Sequence, residues 1–279
     1  MRNNGWFAVL WILLCFAPGE SDASEPYDNV AAPAGSYFSL YPLYYGSDRL
    51  MDKDGKPVAA DPDAVQYQNT FKYTYYNKTL LPKTALFSAF VPVGCLDLFG
   101  DDDCGIGDLS LVGAYWLVDD PATKTWFGTR LQTVVPIGSY DQESKANLGG
   151  NVWKFRPQLY GAKQMGNVLL EGTAKYMIYT ENNDTDIRQG NEVNLESYGG
   201  YFLRPDLLLG AHLNHTFSDD RKVGGTTVPD TGIRKWQAGA SLFKNFGSGF
   251  AALVEVLSDF AVENALEGTT VLMRLSWKL

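Results

Sequence analysis

His212 and His215 are the only histidines in the chain. They stand three apart in "LLLGAHLNHTF", a stretch in which apolar and polar residues alternate. An odd spacing on a strand sends two side chains to opposite faces. His212 is therefore expected to face inward, and His215 to lie near an outer rim. No nucleophile–histidine–acid set can be built from this pair, and two imidazoles leave little for metal ligation. No catalytic residue, metal site or cofactor is assigned.

Thiol chemistry is as sparse. Past Cys15, near the N-terminus, only Cys95 and Cys104 remain, nine apart in "VGCLDLFGDDDCGIGD". In an exported chain such an isolated close pair predicts a disulfide within a loop. The same stretch carries Asp97, Asp101, Asp102, Asp103 and Asp108. A divalent cation needs several oxygens converging on one point, and the spacing does not match an EF-hand loop. A solvated acidic loop is the simpler reading, with cation binding left open. The chain has 23 Lys and Arg against 32 Asp and Glu, a net charge of −9. Without a basic cluster, nucleic acid is excluded as a partner.

The elements that position these residues show a period of two. "VQYQNTFKYTYY" sets Val65, Tyr67, Phe71, Tyr73 and Tyr75 on one face against Gln66, Gln68, Thr70, Lys72 and Thr74. "NVWKFRPQLYG" alternates Trp153, Phe155, Pro157 and Leu159 with Lys154, Arg156, Gln158 and Tyr160. About twelve such segments follow one another, near 36–48, 65–76, 83–94, 107–118, 124–137, 152–164, 168–181, 192–203, 207–218, 234–245, 249–259 and 268–279. Most run to ten residues or more, the length a tilted strand needs to cross a bilayer.

Long polar connections alternate with short ones such as "QMGN" and "RPD". The segment around "VENALEG" is counted among the long ones. This rhythm predicts an all-β fold: one antiparallel up-and-down transmembrane barrel of about twelve strands in a bacterial outer membrane. An exported soluble sandwich or lipocalin-like barrel would also alternate, but it explains neither strand length nor loop rhythm.

A closed barrel must pair its last strand with its first. "TTVLMRLSWKL" accordingly alternates to its end, with Met273, Leu275, Trp277 and Leu279 on the apolar face. The pattern resembles the signal by which bacterial barrel-assembly machinery recognises its clients, although the usual terminal residue is Phe.

At the other end, "MRNNGWFAVLWILLCFAPGESDAS" has Arg2, an apolar core too short to span a bilayer, and small residues at Ser21 and Ala23. A signal peptide over 1–23 is expected, leaving a barrel domain over 24–279. The region before Tyr37 is too short for a plug domain.

With apolar faces toward lipid, the opposite faces assign Lys72, Arg130, Gln132, Lys154, Arg156, Gln158, Glu171, Lys175, His212, Glu255 and Arg274 to the interior. An Arg or Lys facing lipid at mid-depth would cost about 2–4 kcal/mol. Two readings of this set stay open: the charges neutralise one another and fill the bore, or they form a constriction that orients a passing solute.

Gly105 to Gln158 carries a family resemblance. Gly107–Asp108, Pro136–Gly138–Tyr140, Asn147–Leu148–Gly149–Asn151–Trp153 and Phe155–Pro157–Leu159 form its motifs, and Pro33–Gly35–Tyr37 fits as well. This pattern resembles the outer-membrane family named for the meta-pathway of phenol degradation. The resemblance implies a barrel that transports hydrophobic or aromatic compounds. The expected function is passive uptake of such solutes, with the bilayer, the assembly machinery and the solute as partners. The alternative is a non-transporting surface barrel with a filled lumen: a receptor, an adhesin or a lipid-binding protein. An outer-membrane hydrolase ranks behind both. The sequence does not fix an oligomeric state.

Overall fold

The computed structural model describes residues 25–58, 61–79 and 83–279. The expected signal peptide, 1–23, lies outside them. Sixteen strands are present among the described residues. They are β1 (Gly35–Leu50), β2 (Ala64–Asn77), β3 (Ala85–Leu98), β4 (Asp101–Ile106), β5 (Leu109–Asp120), β6 (Thr125–Val135), β7 (Lys154–Met165), β8 (Val168–Tyr179), β9 (Ile187–Arg188), β10 (Glu192–Arg204), β11 (Leu207–Ser218), β12 (Lys222–Val223), β13 (Thr226–Thr227), β14 (Arg234–Gly247), β15 (Phe250–Glu263) and β16 (Leu266–Lys278).

Twelve of them close into an antiparallel barrel, each paired with its neighbour in chain order among the long strands. The remaining four are the short β4, β9, β12 and β13, with β4 folded back on β3 and the others pairing within loops. The ring shuts where β1 pairs with β16, with Phe38 opposite Trp277 and Leu40 opposite Leu275. Beyond the last ladder pair, Leu279 N–H donates to Ser36 O at 2.9 Å. Among the described residues no long strand of the barrel keeps a free edge for lipid to meet, as a bilayer requires.

Alternation decides which side each residue takes. On β2, Tyr67, Phe71, Tyr73 and Tyr75 are exposed while Gln66, Gln68 and Thr74 are buried. In a closed barrel, "exposed" means the lipid side, and the exterior is lined by large apolar residues on every long strand. Aromatics gather toward its two ends. Phe38, Phe250 and Trp277 pack together at one, with the Phe250 and Trp277 rings stacked 5.3 Å apart. At the other end His215 stacks on Trp236 at 4.1 Å, on the outer surface beside Phe217. Such belts suit the membrane–water boundary.

Two connections differ from the sequence expectation. The stretch around Asn264 is a two-residue turn between β15 and β16, because both strands run on past the expected boundary. Asn264 takes a positive φ of 54°, which lets the chain reverse tightly. The Cys95–Cys104 region is no loop either. β3 and β4 form a hairpin in which the two cysteines face each other across the ladder and are joined as a disulfide.

Candidate functional site: the barrel lumen

The bore is built from the inward faces of the twelve long strands. Gln132, Arg156, Gln158, Glu171, His212, Glu255 and Arg274 are buried there. Lys72, Arg130, Lys154 and Lys175 are half-buried. Adjacent registers bring several together on one wall: Arg130 lies opposite Gln158, Gln132 opposite Arg156, and Gln158 opposite Lys175. Lys175 is ion-paired with Glu196 of β10, a residue the sequence reading missed. Its signal was present in the alternation, since Glu196 shares the inward face with Asn194 and Tyr198.

His212 contacts Ser241 Oγ at 2.7 Å and Glu255 Oε2 at 3.3 Å. Both contacts fall on the same ring nitrogen, Nε2. A hydrolytic relay places the nucleophile on one imidazole nitrogen and the acid on the other. The trio is therefore a polar tie between β11, β14 and β15.

The largest departure from expectation is the segment ahead of β1. Its described part, residues 25–34, sits inside the bore. Arg274 Nη1 donates to Glu25 Oε2 at 2.7 Å, and Nη2 donates to Pro26 O at 2.9 Å. The Tyr27 and Asn29 amides donate to the two oxygens of Glu171 at 2.6 and 3.0 Å. Arg130 Nη2 donates to Asp28 O, and Trp116 Nε1 donates to Asn29 O, each at 3.0 Å. Its anchors thus lie on β16, β8, β6 and β5, and the segment crosses the bore from wall to wall. Tyr27 packs on Phe243 at 5.1 Å, and Val30 packs against the cluster of Leu86, Trp116 and Tyr160. Alternation within strands carries no trace of this seating. The partners lie far apart in the chain, from a separation of 87 for Asn29 and Trp116 to 249 for Glu25 and Arg274.

At the far end of the barrel, the 136–153 connection folds over the mouth. Leu148 and Ala146 are buried against the inner wall. The acidic residues of the β3–β4 hairpin hold it: Lys145 N–H donates to Asp101 Oδ2 at 2.9 Å and Leu148 N–H to Asp103 Oδ2 at 2.8 Å. Asp108 accepts from Gly138 N–H at 3.0 Å and Gly150 N–H at 2.8 Å. Three of the five aspartates are thus acceptors for loop amides. Among the described residues no three His, Cys, Asp or Glu side chains converge to hold a metal ion. The glycines of the sequence motifs meet at the same joint. A Cβ on Gly138 would lie 2.7 Å from the Gly107 carbonyl carbon and 2.8 Å from Gly149 Cα, so the backbones touch only because these positions lack side chains.

Between loop and N-terminal segment the cavities of the lumen include one of about 220 Å³ and one of about 160 Å³. They share Leu43, Gln68, Pro92 and Arg156 as lining, so they abut along the axis.

Solved structures with this fold include the crystal structure of an outer membrane channel from Pseudomonas putida F1. It is 21% identical, covers 92% of this chain and 100% of that one, and has a TM-score of 0.85. The NanC porin is 9% identical over 87% of this chain and 100% of its own, at a TM-score of 0.54. The translocator domain of the autotransporter NalP from Neisseria meningitidis is 11% identical over 89% and 90%, at 0.52. Comparison with curated proteins gives no match. The shared architecture is the outer-membrane β-barrel, and the apolar exterior requires a bilayer around it. A family model described as "Putative MetA-pathway of phenol degradation" matches residues 47–275, and the chain belongs to that family.

Proposed function

We propose that this barrel passes small hydrophobic or aromatic compounds across the bacterial outer membrane by diffusion. The observation that carries this reading is the pair of abutting cavities along the axis. A bore filled only for stability would be packed, as interiors generally are. The inward charges line a path, and Arg156 stands at the junction of the two cavities. The family supports the same class of solute. No energy-coupling element is invoked: a solute enters at the loop-covered mouth, rests in the cavities, and leaves when the N-terminal segment shifts from its anchors.

The seated segment favours a second reading, a non-transporting surface barrel with a closed lumen. Planar-bilayer recording and liposome swelling with the refolded chain separate the two. Resolved single-channel currents, with swelling faster than in empty liposomes, support passage. A silent barrel in both assays favours the closed one.

A further inference from the structure

The smaller cavity has a composition that passage of neutral compounds does not call for. Four cations line it, Lys72, Arg130, Arg156 and Lys175, against two carboxylates, Glu25 and Asp28. Both carboxylates are already engaged by Arg274, at 2.7 and 3.5 Å. Lys175 has its own partner in Glu196. Arg130 is held over the Tyr160 ring at 4.9 Å and by the Asp28 carbonyl.

Lys72 differs. Its ammonium lies between two rings, 5.6 Å from the Tyr41 centroid and 5.7 Å from the Phe90 centroid. Among the described residues it has no carboxylate within ion-pair distance. Aromatic faces attract a cation but do not neutralise it. Glu25 and Asp28 act on it only at longer range, and both are held by Arg274, so a half-buried ammonium between two rings can still take a further anion.

The rest of the lining limits what that anion can be. Tyr41, Tyr76, Leu86, Phe90 and Val112 give the cavity apolar walls beside the charge. Its volume of about 160 Å³ is close to that of the roughly 150 Å³ apolar cavity known to take up benzene. A single ring fits within it.

We propose that this cavity is a binding subsite for a single-ring aromatic carboxylate. The carboxylate pairs with Lys72, assisted by Arg156 of the same lining, and the ring lies against Tyr41 and Phe90. The proposal refines the solute class of the passage reading and rests on that reading only for the route by which the ligand arrives.

Binding, measured without any requirement for transport, tests it. Calorimetric titration of the refolded full chain in a non-ionic detergent compares benzoate, the neutral benzyl alcohol and the aliphatic octanoate. Benzoate is expected to bind about tenfold tighter than benzyl alcohol, the factor for one charge-assisted contact of about 1.4 kcal/mol. Lys72→Met is expected to abolish that preference and Lys72→Arg to retain it, each checked for a folded barrel by heat-modifiable gel mobility. Equal binding of benzoate and benzyl alcohol by the unaltered chain overturns the proposal, even if neither variant folds. Octanoate binding as tight as benzoate overturns the single-ring assignment. Benzoate binding without flux in liposomes would refute passage and leave the subsite standing.

Discussion

The Asp108 carboxylate stands 2.8 Å from the backbone amide of Gly150. That contact joins the start of β5 to a loop more than forty residues further on, and the other carboxylate oxygen takes the Gly138 amide at 3.0 Å. One side chain thus pins both ends of the connection that covers the mouth.

Asp108→Ala is expected to free this loop while sparing the barrel. Each lost bond to a charged acceptor is worth about 1.5–3 kcal/mol locally, and the strand ladders are untouched. Limited proteolysis of the folded variant should cut between 139 and 150, where the unaltered chain resists. Asp108→Asn keeps one acceptor and should be cut more slowly. An uncut Asp108→Ala chain would show that the loop is held by other contacts.

Glu171 does for the N-terminal segment what Asp108 does for the loop. Glu171→Ala removes the acceptor of two amides, on the order of 3 kcal/mol of holding interaction. Single-channel conductance is expected to rise. Glu171→Gln retains one acceptor oxygen and should give a smaller rise. Conductance unchanged in both variants would mean that the segment does not limit the bore.

The Cys95–Cys104 bond closes a small ring within a hairpin already paired along its length. Its contribution is expected to be about 2 kcal/mol or less, and local. Reduction should raise hydrogen exchange over 97–106 while the β1–β2 and β1–β16 ladders stay protected. Loss of protection in those ladders would give the bond a wider role than shaping the hairpin.

At the seam, Leu279 N–H donates to Ser36 O at 2.9 Å, while Trp277 lies in the exterior belt with Phe38 and Phe250. Deleting Leu279 removes the last tie between the closing strands, and outer-membrane levels are expected to fall. The loss of one hydrogen bond, about 1 kcal/mol, is too small to unfold a finished barrel. Any large drop therefore reflects assembly. Normal levels would detach Leu279 from that step.

The wall of the barrel was legible in the sequence, and its contents were not. Each long strand separates lipid from lumen, so Tyr67 and Gln68 announce their faces by alternation alone, and twelve strands could be counted with boundaries off by a few residues. What fills the lumen depends on pairs far apart in the chain. Nothing near Glu25 points to Arg274, and nothing near Asn29 points to Glu171. The motif residues Gly107, Asp108, Gly138 and Gly149 stood out as a pattern, but their purpose appears only where three backbones touch. The aspartates of the β3–β4 hairpin read as solvated charge because their donors are main-chain amides, which every residue but proline carries.

The Glu25–Arg274 ion pair also fixes an order of events. Arg274 belongs to β16, the last barrel strand to leave the ribosome, whereas Glu25 precedes the first. Their union cannot form during export of the unfinished chain, and it waits until the ring has a final wall to offer. The strand that shuts the cylinder against lipid is thus the same one that receives the segment ahead of β1, so closing the wall and occupying the interior are successive acts of a single seam.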